Sequence, residues 1–213
     1  FNNVDFLFGE NHETPGEIDF SHSVLNGGSF LDATGNGSYG TFHVSDTSFN
    51  GTGGFYLWYP LEGSGFWRTE FNQTNGLTIG TSNSFSVVDS AFYGVTGGYD
   101  PASVTVWASY GPPVMVSGNA FSGGDVAVRV NNGAIVDARG NFWGELTSSG
   151  IARRIWDVND NLQQGSTVNF SEWLTSPSAA APEIALYFRG SAASDQMAGG
   201  SSSDSLFGLA GND

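Results

Sequence analysis

Acidic side chains recur at a fixed interval near one end of this chain. Asp195, Asp204 and Asp213 lie nine residues apart, each at the sixth position of a block that opens on glycine at Gly190, Gly199 and Gly208. Met197 and Leu206 stand at the eighth position of the first two blocks, and Gly211 at the fourth position of the third. A carboxylate set among turn carbonyls offers the hard-oxygen ligands that calcium takes, and glycines such as Gly199 and Gly211 let the backbone close tightly around an ion. The apolar eighth residue would fill the interior of such a coil. Ser191, Ala193, Ser202 and Leu209 depart from a strict glycine pattern.

Other groups able to do chemistry recur at just over twenty residues. Asp46, Arg68 and Asp89 are spaced by 22 and 21, so a coil of that length would stack them in one column with His22, Gly118 and Arg139. As catalytic candidates they resemble two arrangements. An arginine beside acidic groups is what a lyase base requires, and carboxylates separated by one intervening coil, at about 4.8 Å per coil, approach the spacing of a glycosidase pair. A surface salt-bridge ladder explains the same column without catalysis. Tyr99 and Asp100, inside a 29-residue interval, are two further catalytic candidates. Tyr56, Trp58, Trp107 and Arg129, together with Thr78, Thr105 and Ala127, fall at alternate positions of short apolar runs and would face outward as a ligand-binding surface. Flat rings can stack on sugar faces; alternatively, other segments of the chain cover them. His12, His22 and His43 are too scattered to nominate as a metal site.

These side chains need a scaffold that repeats at the same interval, and one is legible. A pattern of apolar, any, apolar, any, polar, small polar, any, large apolar recurs six times. Its closing residues are Leu25, Phe49, Phe71, Phe92, Phe121 and Phe142, at intervals of 24, 22, 21, 29 and 21. Second alternating runs at 53–59, 76–79, 104–107 and 126–130 supply another strand for each coil. One coil of a parallel solenoid per repeat follows, with an aromatic ladder of Phe49, Phe92, Phe121 and Phe142 inside. Ser23, Thr47, Thr69, Ser90 and Asn119, two positions earlier, would stack in a turn where short polar groups satisfy bent backbone.

Over roughly 18–174 this arrangement resembles the right-handed parallel β-helix of the pectate-lyase-like superfamily. Gly140-Asn141-Phe142-Trp143-Gly144, followed by Ile155-Trp156-Asp157 and Trp173-Leu174-Thr175-Ser176-Pro177, looks like the terminal wrap common in such β-helices. The glycine-aspartate blocks resemble the nonapeptide repeats of RTX, or haemolysin-type, calcium-binding proteins. That resemblance implies calcium as cofactor, with ions shared between turns two repeats apart, so Asp195 would pair with Asp213 and leave Asp204 without a partner. It also implies a protein that is secreted or at the cell surface through bacterial type I export. Gly98-Tyr99-Asp100-Pro101-Ala102-Ser103 partly resembles the Tyr-Gly-x-Asp-Pro-His-Glu motif of mannuronan C5-epimerases. Ala102 stands where that motif has its histidine, which removes the imidazole needed for proton abstraction.

Composition agrees with an all-β chain: 31 glycines and 14% aromatics, with only 13% charged residues, suit short strands and turns. Six arginines and no lysine face 21 acidic residues, a net charge of −15 that disfavours nucleic acid and anionic lipid. No apolar run of about 18 residues suits a membrane span, and the absence of cysteine excludes a disulfide framework. The expected organisation is a β-helix over 1–175, a linker with a short strand over 176–189, and truncated calcium-binding repeats over 190–213. Two functions are compatible with it. One is a secreted, calcium-linked module that binds an extracellular polysaccharide or serves as a structural surface element; the other is a lyase, hydrolase or epimerase acting on such a glycan.

Overall fold

Short strands of alternating inward and outward residues, each ended by glycine or a turn residue, build this molecule. The computed structural model describes residues 1–8, 16–32, 40–81, 83–95, 101–109 and 111–211. Five complete coils of three strands come first. They are β1 (Asp5–Phe8), β2 (Glu17–Ser21) and β3 (Val24–Asn26), then β4 (Ser29–Asp32), β5 (Thr41–Ser45) and β6 (Ser48–Asn50), then β7 (Gly53–Trp58), β8 (Ser64–Trp67) and β9 (Glu70–Asn72). The fourth and fifth are β10 (Leu77–Thr81), β11 (Phe85–Val88) and β12 (Ala91–Tyr93), and β13 (Val104–Ser109), β14 (Val114–Ser117) and β15 (Ala120–Ser122). After them come β16 (Val128–Val130), β17 (Ile135–Asp137), a one-turn helix α1 (Ser148–Ala152), β18 (Ile155–Trp156), β19 (Thr167–Asn169), β20 (Tyr187–Arg189) and β21 (Ser205–Phe207).

Each coil contributes one strand to each of three parallel sheets. The first sheet runs β1-β4-β7-β10-β13-β16-β18, the second β2-β5-β8-β11-β14-β17-β19 and the third β3-β6-β9-β12-β15. The protein is an all-β parallel solenoid of about five turns. Its interior is one apolar column. Phe42 and Val44 on β5, Phe85 and Val87 on β11, and Ile79 on β10 are fully buried within it. On the third sheet Leu25, Phe49, Phe71, Phe92 and Phe121 are direct register partners. The rings of Phe71 and Phe92 lie 4.5 Å apart at 1°, and those of Phe92 and Phe121 5.2 Å apart at 20°.

The last rung corrects the sequence expectation. Phe121 stacks on Trp143, at 5.2 Å and 28°, and not on Phe142. Phe142 bridges to Ala120 and turns away from the axis to meet Phe188 at 5.0 Å. Strand side chains alternate, so an offset of one residue exchanges inside for outside. The same offset moves the corner column: Gly140, not Arg139, follows Gly118. His22, Asp46, Arg68, Asp89, Gly118 and Gly140 all occupy the left-handed backbone region, with φ between 49° and 70°.

The residue after each of these is the small polar one. Thr47, Thr69, Ser90, Asn119 and Asn141 are buried in a stack. The Thr69 amide donates to the Ser90 hydroxyl (3.1 Å), the Ser90 amide to Asn119 Oδ1 (2.8 Å) and the Asn119 amide to Asn141 Oδ1 (2.8 Å). Asn141 Nδ2 in turn donates to the Val116 and Ala138 carbonyls at 2.6 and 2.7 Å.

The 176–189 stretch is packed against the solenoid. Ile184, Leu186 and Phe188 are buried with Ala91, Ala120 and Phe142 on the outer face of the third sheet. The Ser122 hydroxyl donates to the Ala185 carbonyl at 2.7 Å and accepts the Tyr187 amide at 2.6 Å. Beyond it β20 pairs with β21 in parallel, Tyr187 opposite Ser205, a coil of two nonapeptides. Met197 is partly buried beneath that coil, whereas Leu206 is 41% exposed because no described segment covers it.

Removing a ladder ring opens a cavity that stacked neighbours on both sides cannot fill. Phe92→Ala should destabilise the solenoid by roughly 3–5 kcal/mol, measured by urea denaturation at equilibrium.

Candidate functional site

The outer face of the first sheet carries the aromatic surface expected from alternation, in a narrower form. Tyr56, Thr78, Thr105, Arg129 and Trp156 are successive register partners on β7, β10, β13, β16 and β18. With neighbouring strands about 4.8 Å apart, this stripe is about 19 Å long. Aromatic groups stand at both ends. Tyr56 is 40% exposed, its ring 5.8 Å from Trp58, and Trp58 lies 6.4 Å from exposed Tyr59. At the other end the Arg129 guanidinium sits 4.7 Å above the Trp156 ring, a cation–π contact that orients both groups.

Local sequence explains the platform. Gly80 is the register partner of Trp58, and a side chain on Gly80 would collide with the indole, so the missing Cβ gives the ring its seat. Tyr59 then leaves the strand at φ 50°, a costly conformation for a bulky residue, with its amide donating to the Gly80 carbonyl at 2.6 Å. Trp107 is half-buried and marks an irregularity: Ile79 pairs with Val106 and Gly80 with Ala108, so Trp107 is the extra residue of a bulge. Two expected surface positions are not exposed. Ala127 belongs to the interior, since it precedes β16 and its amide donates to the Arg154 carbonyl, and Thr105 is buried within the stripe.

The acidic and arginine column is assembled as its spacing implies. Asp46, Arg68 and Asp89 occupy equivalent corners of successive coils, and Arg68 makes a bidentate pair with Asp46 at 2.6 and 2.8 Å. Its hydrogen bonds from Arg68 hold the Asp46 carboxyl below the ordinary aspartate range, and the same bonds raise the guanidinium further. A raised guanidinium is the opposite of what a base requires. Asp89 instead accepts from the Ser178 hydroxyl at 3.4 Å, next to Gly118, where a Cβ would strike its carboxylate. Arg139, outside the column, pairs with Asp137 at 2.7 Å.

On the second sheet Arg68 borders a shallow cavity of about 460 Å³ that also includes Asp19, His43 and Trp67. His43 meets Trp67 edge-on at 5.7 Å and lies in register with Asp19. Spacing alone did not reveal this group, because His43 and Trp67 occupy different phases of the repeat and meet only across neighbouring coils.

No family model, curated protein or solved structure matches this chain.

In the nonapeptides each described aspartate caps its own turn. Asp195 accepts from the Ser191 amide at 2.5 Å and its hydroxyl at 3.0 Å, and Asp204 accepts from the Gly200 and Leu186 amides at 2.7 and 2.8 Å. Gly199 gives way to the Asp204 carboxylate and Gly211 packs against the Ala193 carbonyl, each at a point where a Cβ would collide. Glu183 reaches the same turn, where hydrogen bonds from Ser201, its hydroxyl foremost, keep the carboxyl below its ordinary range. Calcium takes six to eight oxygens, and no group of three or more acidic or histidine side chains converges among the described residues. A carboxylate keeps lone pairs beyond the hydrogens it accepts, so Asp195 and Asp204 retain oxygens for an ion, although the described residues alone supply fewer acidic groups than a calcium cage gathers. Asp213, Tyr99 and Asp100 lie outside the described residues.

Because Asp46 is held below an unfolded value of about 3.9, its pairing with Arg68 contributes stability above that pH and loses it as the pH falls through the folded value. Arg68→Ala should cost roughly 0.2–1 kcal/mol at neutral pH, as for an exposed pair. The difference from wild type should shrink below about pH 4, as read by urea denaturation across a pH series.

Proposed function

We propose that this chain is a carbohydrate-binding module of a secreted protein, built on a parallel β-helix of the pectate-lyase-like kind. The observation that carries the proposal is the stripe from Tyr56 to Trp156 with its Tyr56–Trp58–Tyr59 platform. Rings held at strand spacing on a rigid sheet form a pre-organised surface for sugar faces and lose little entropy on binding. The half-buried Thr78 and a single oriented cation between the aromatic ends suit a linear glycan lying along the solenoid axis. The nine-residue period adds calcium as a partner and type I export as the route, with Asp195 and Asp213 two repeats apart. Because the described donors do not themselves enclose an ion, calcium is proposed as a link to the terminal repeats and takes no part at the sugar surface.

A second function has one observation in its favour. The cavity that gathers Asp19, His43, Trp67 and Arg68 is where a polysaccharide-active enzyme would place an acid–base group beside an aromatic platform. The two functions separate cleanly in one assay: the protein is run against alginate, pectate and neutral glycans, with calcium and with chelator, and read for retention, unsaturated ends and new reducing ends. The binding module shows saturable retention without turnover, and Trp58→Ala weakens retention roughly ten-fold, a loss of about 1.4 kcal/mol. Turnover that disappears in His43→Ala or Arg68→Ala would transfer the function to the second sheet. Retention indifferent to both Tyr56→Ala and Trp58→Ala would remove the stripe as the binding surface.

A further inference from the structure

Half of the six lysine and arginine residues of this acidic chain, all of them arginines, gather at one place. A cavity of about 470 Å³ lies where the last solenoid coil meets the terminal segment, lined by Arg153, Arg154, Arg189, Asp125, Glu145 and Tyr187 together with glycine backbone. Three guanidiniums against two carboxylates leave it formally positive in a molecule of net charge −15. None of the three arginines is in salt-bridge contact with a carboxylate among the described residues.

The site is built around a buried charge. Arg154 donates through Nη1 to the Trp143 and Phe121 carbonyls, the latter at 3.2 Å, and through Nη2 to the Gly123 carbonyl at 2.6 Å. Those bonds tie it to β15 and the residue just beyond it, and to the segment that follows β17. Burial pushes its guanidinium down to about 10, which still leaves it charged at neutral pH. The Nε–H of Arg154 and that of Arg189 are both buried with no acceptor. Buried donors are almost always satisfied, and no hydrogen bond among the described residues engages the guanidinium of Arg189 or of Arg153, so both line the cavity with donors to offer. Arg189 is placed by β20, whose amide at that residue donates to the Gly144 carbonyl at 2.8 Å. Arg153 is exposed and unpaired beside it. The cavity is therefore complete only when the terminal strand is docked.

We propose that this cavity binds a small oxyanion, a carboxylate or a sulfate group, gripped by Arg153 and Arg189 above the fixed charge of Arg154. Planar guanidiniums match both groups through paired N–H donors, and the local excess of positive charge overcomes the repulsion that the rest of the surface exerts on anions. The cavity shares no lining residue with the aromatic stripe on the first sheet.

Isothermal titration calorimetry of the whole chain with sodium sulfate and with sodium succinate, against sodium chloride at matched ionic strength, tests it. Saturable binding of sulfate or succinate is expected, weakened roughly ten-fold or more by Arg189→Gln and by Arg153→Gln, and unchanged in Arg139→Gln and Trp58→Ala. The stronger of the two probes identifies the group that the pocket prefers. Arg153 is exposed, so its variant should keep the wild-type circular dichroism spectrum even if the Arg189 variant does not. Heats no different from chloride with both probes, or unaltered affinity in a folded Arg153→Gln, would overturn the proposal.

Discussion

At one corner of the coils the backbone passes through a left-handed residue and then a small polar one, and at four of these corners its side chain accepts an amide from the coil before it. The Ser23 amide donates to Thr47, Thr69 to Ser90, Ser90 to Asn119 and Asn119 to Asn141. The Thr69, Ser90 and Asn119 amides are closed off from water, where a donor without an acceptor costs about 1–3 kcal/mol. Only one vertical alignment of the coils satisfies them. That alignment sets which residues face the axis, because a slip of one residue would expose the whole phenylalanine ladder. The outer stripe on the first sheet inherits its register from the same constraint.

Coils of unequal length are accommodated elsewhere. Successive corner residues from His22 to Gly140 are separated by 24, 22, 21, 29 and 22 positions, yet the corner and the ladder beside it keep one geometry. Extra residues enter the connections that lead into and out of the first sheet. A constant corner with variable edges is how a solenoid diversifies a surface without disturbing its core. The terminal segment uses the remaining outer face: Ile184, Leu186 and Phe188 cover the third sheet, and in docking there they bring Arg189 to the basic cavity.

Much of this was legible in the residues. The apolar period, the polar column and the stacked Asp46–Arg68 corner follow from a pattern that repeats with nearly constant spacing, because each coil meets the same packing problem. The failures are local. Asn141-Phe142-Trp143 offers two large aromatics in succession, and choosing Phe142 as the ladder rung displaced Arg139 into a column that belongs to Gly140. Trp107 sits on a bulge, which simple alternation does not register, and Ala127 lies just before its strand, where alternation does not apply. The basic cavity left no trace in spacing, since Arg153 and Arg189 approach only after 184–188 packs against the third sheet. The calcium expectation rests on a period; Asp195 and Asp204 each cap their own turn, and Asp213, the expected partner of Asp195, lies outside the described residues.

The central claim is that corner hydrogen bonds hold a rigid solenoid whose first sheet presents the binding surface. Amide-resolved hydrogen exchange, with and without a glycan oligomer that the protein retains, tests both halves together. The account predicts that Thr69, Ser90 and Asn119 are among the slowest amides in either state, and that the glycan slows exchange on β7, β10, β13 and β16 while leaving the second sheet unchanged. Rapid exchange at those corner amides, or protection confined to β5 and β8 around His43 and Trp67, would contradict it.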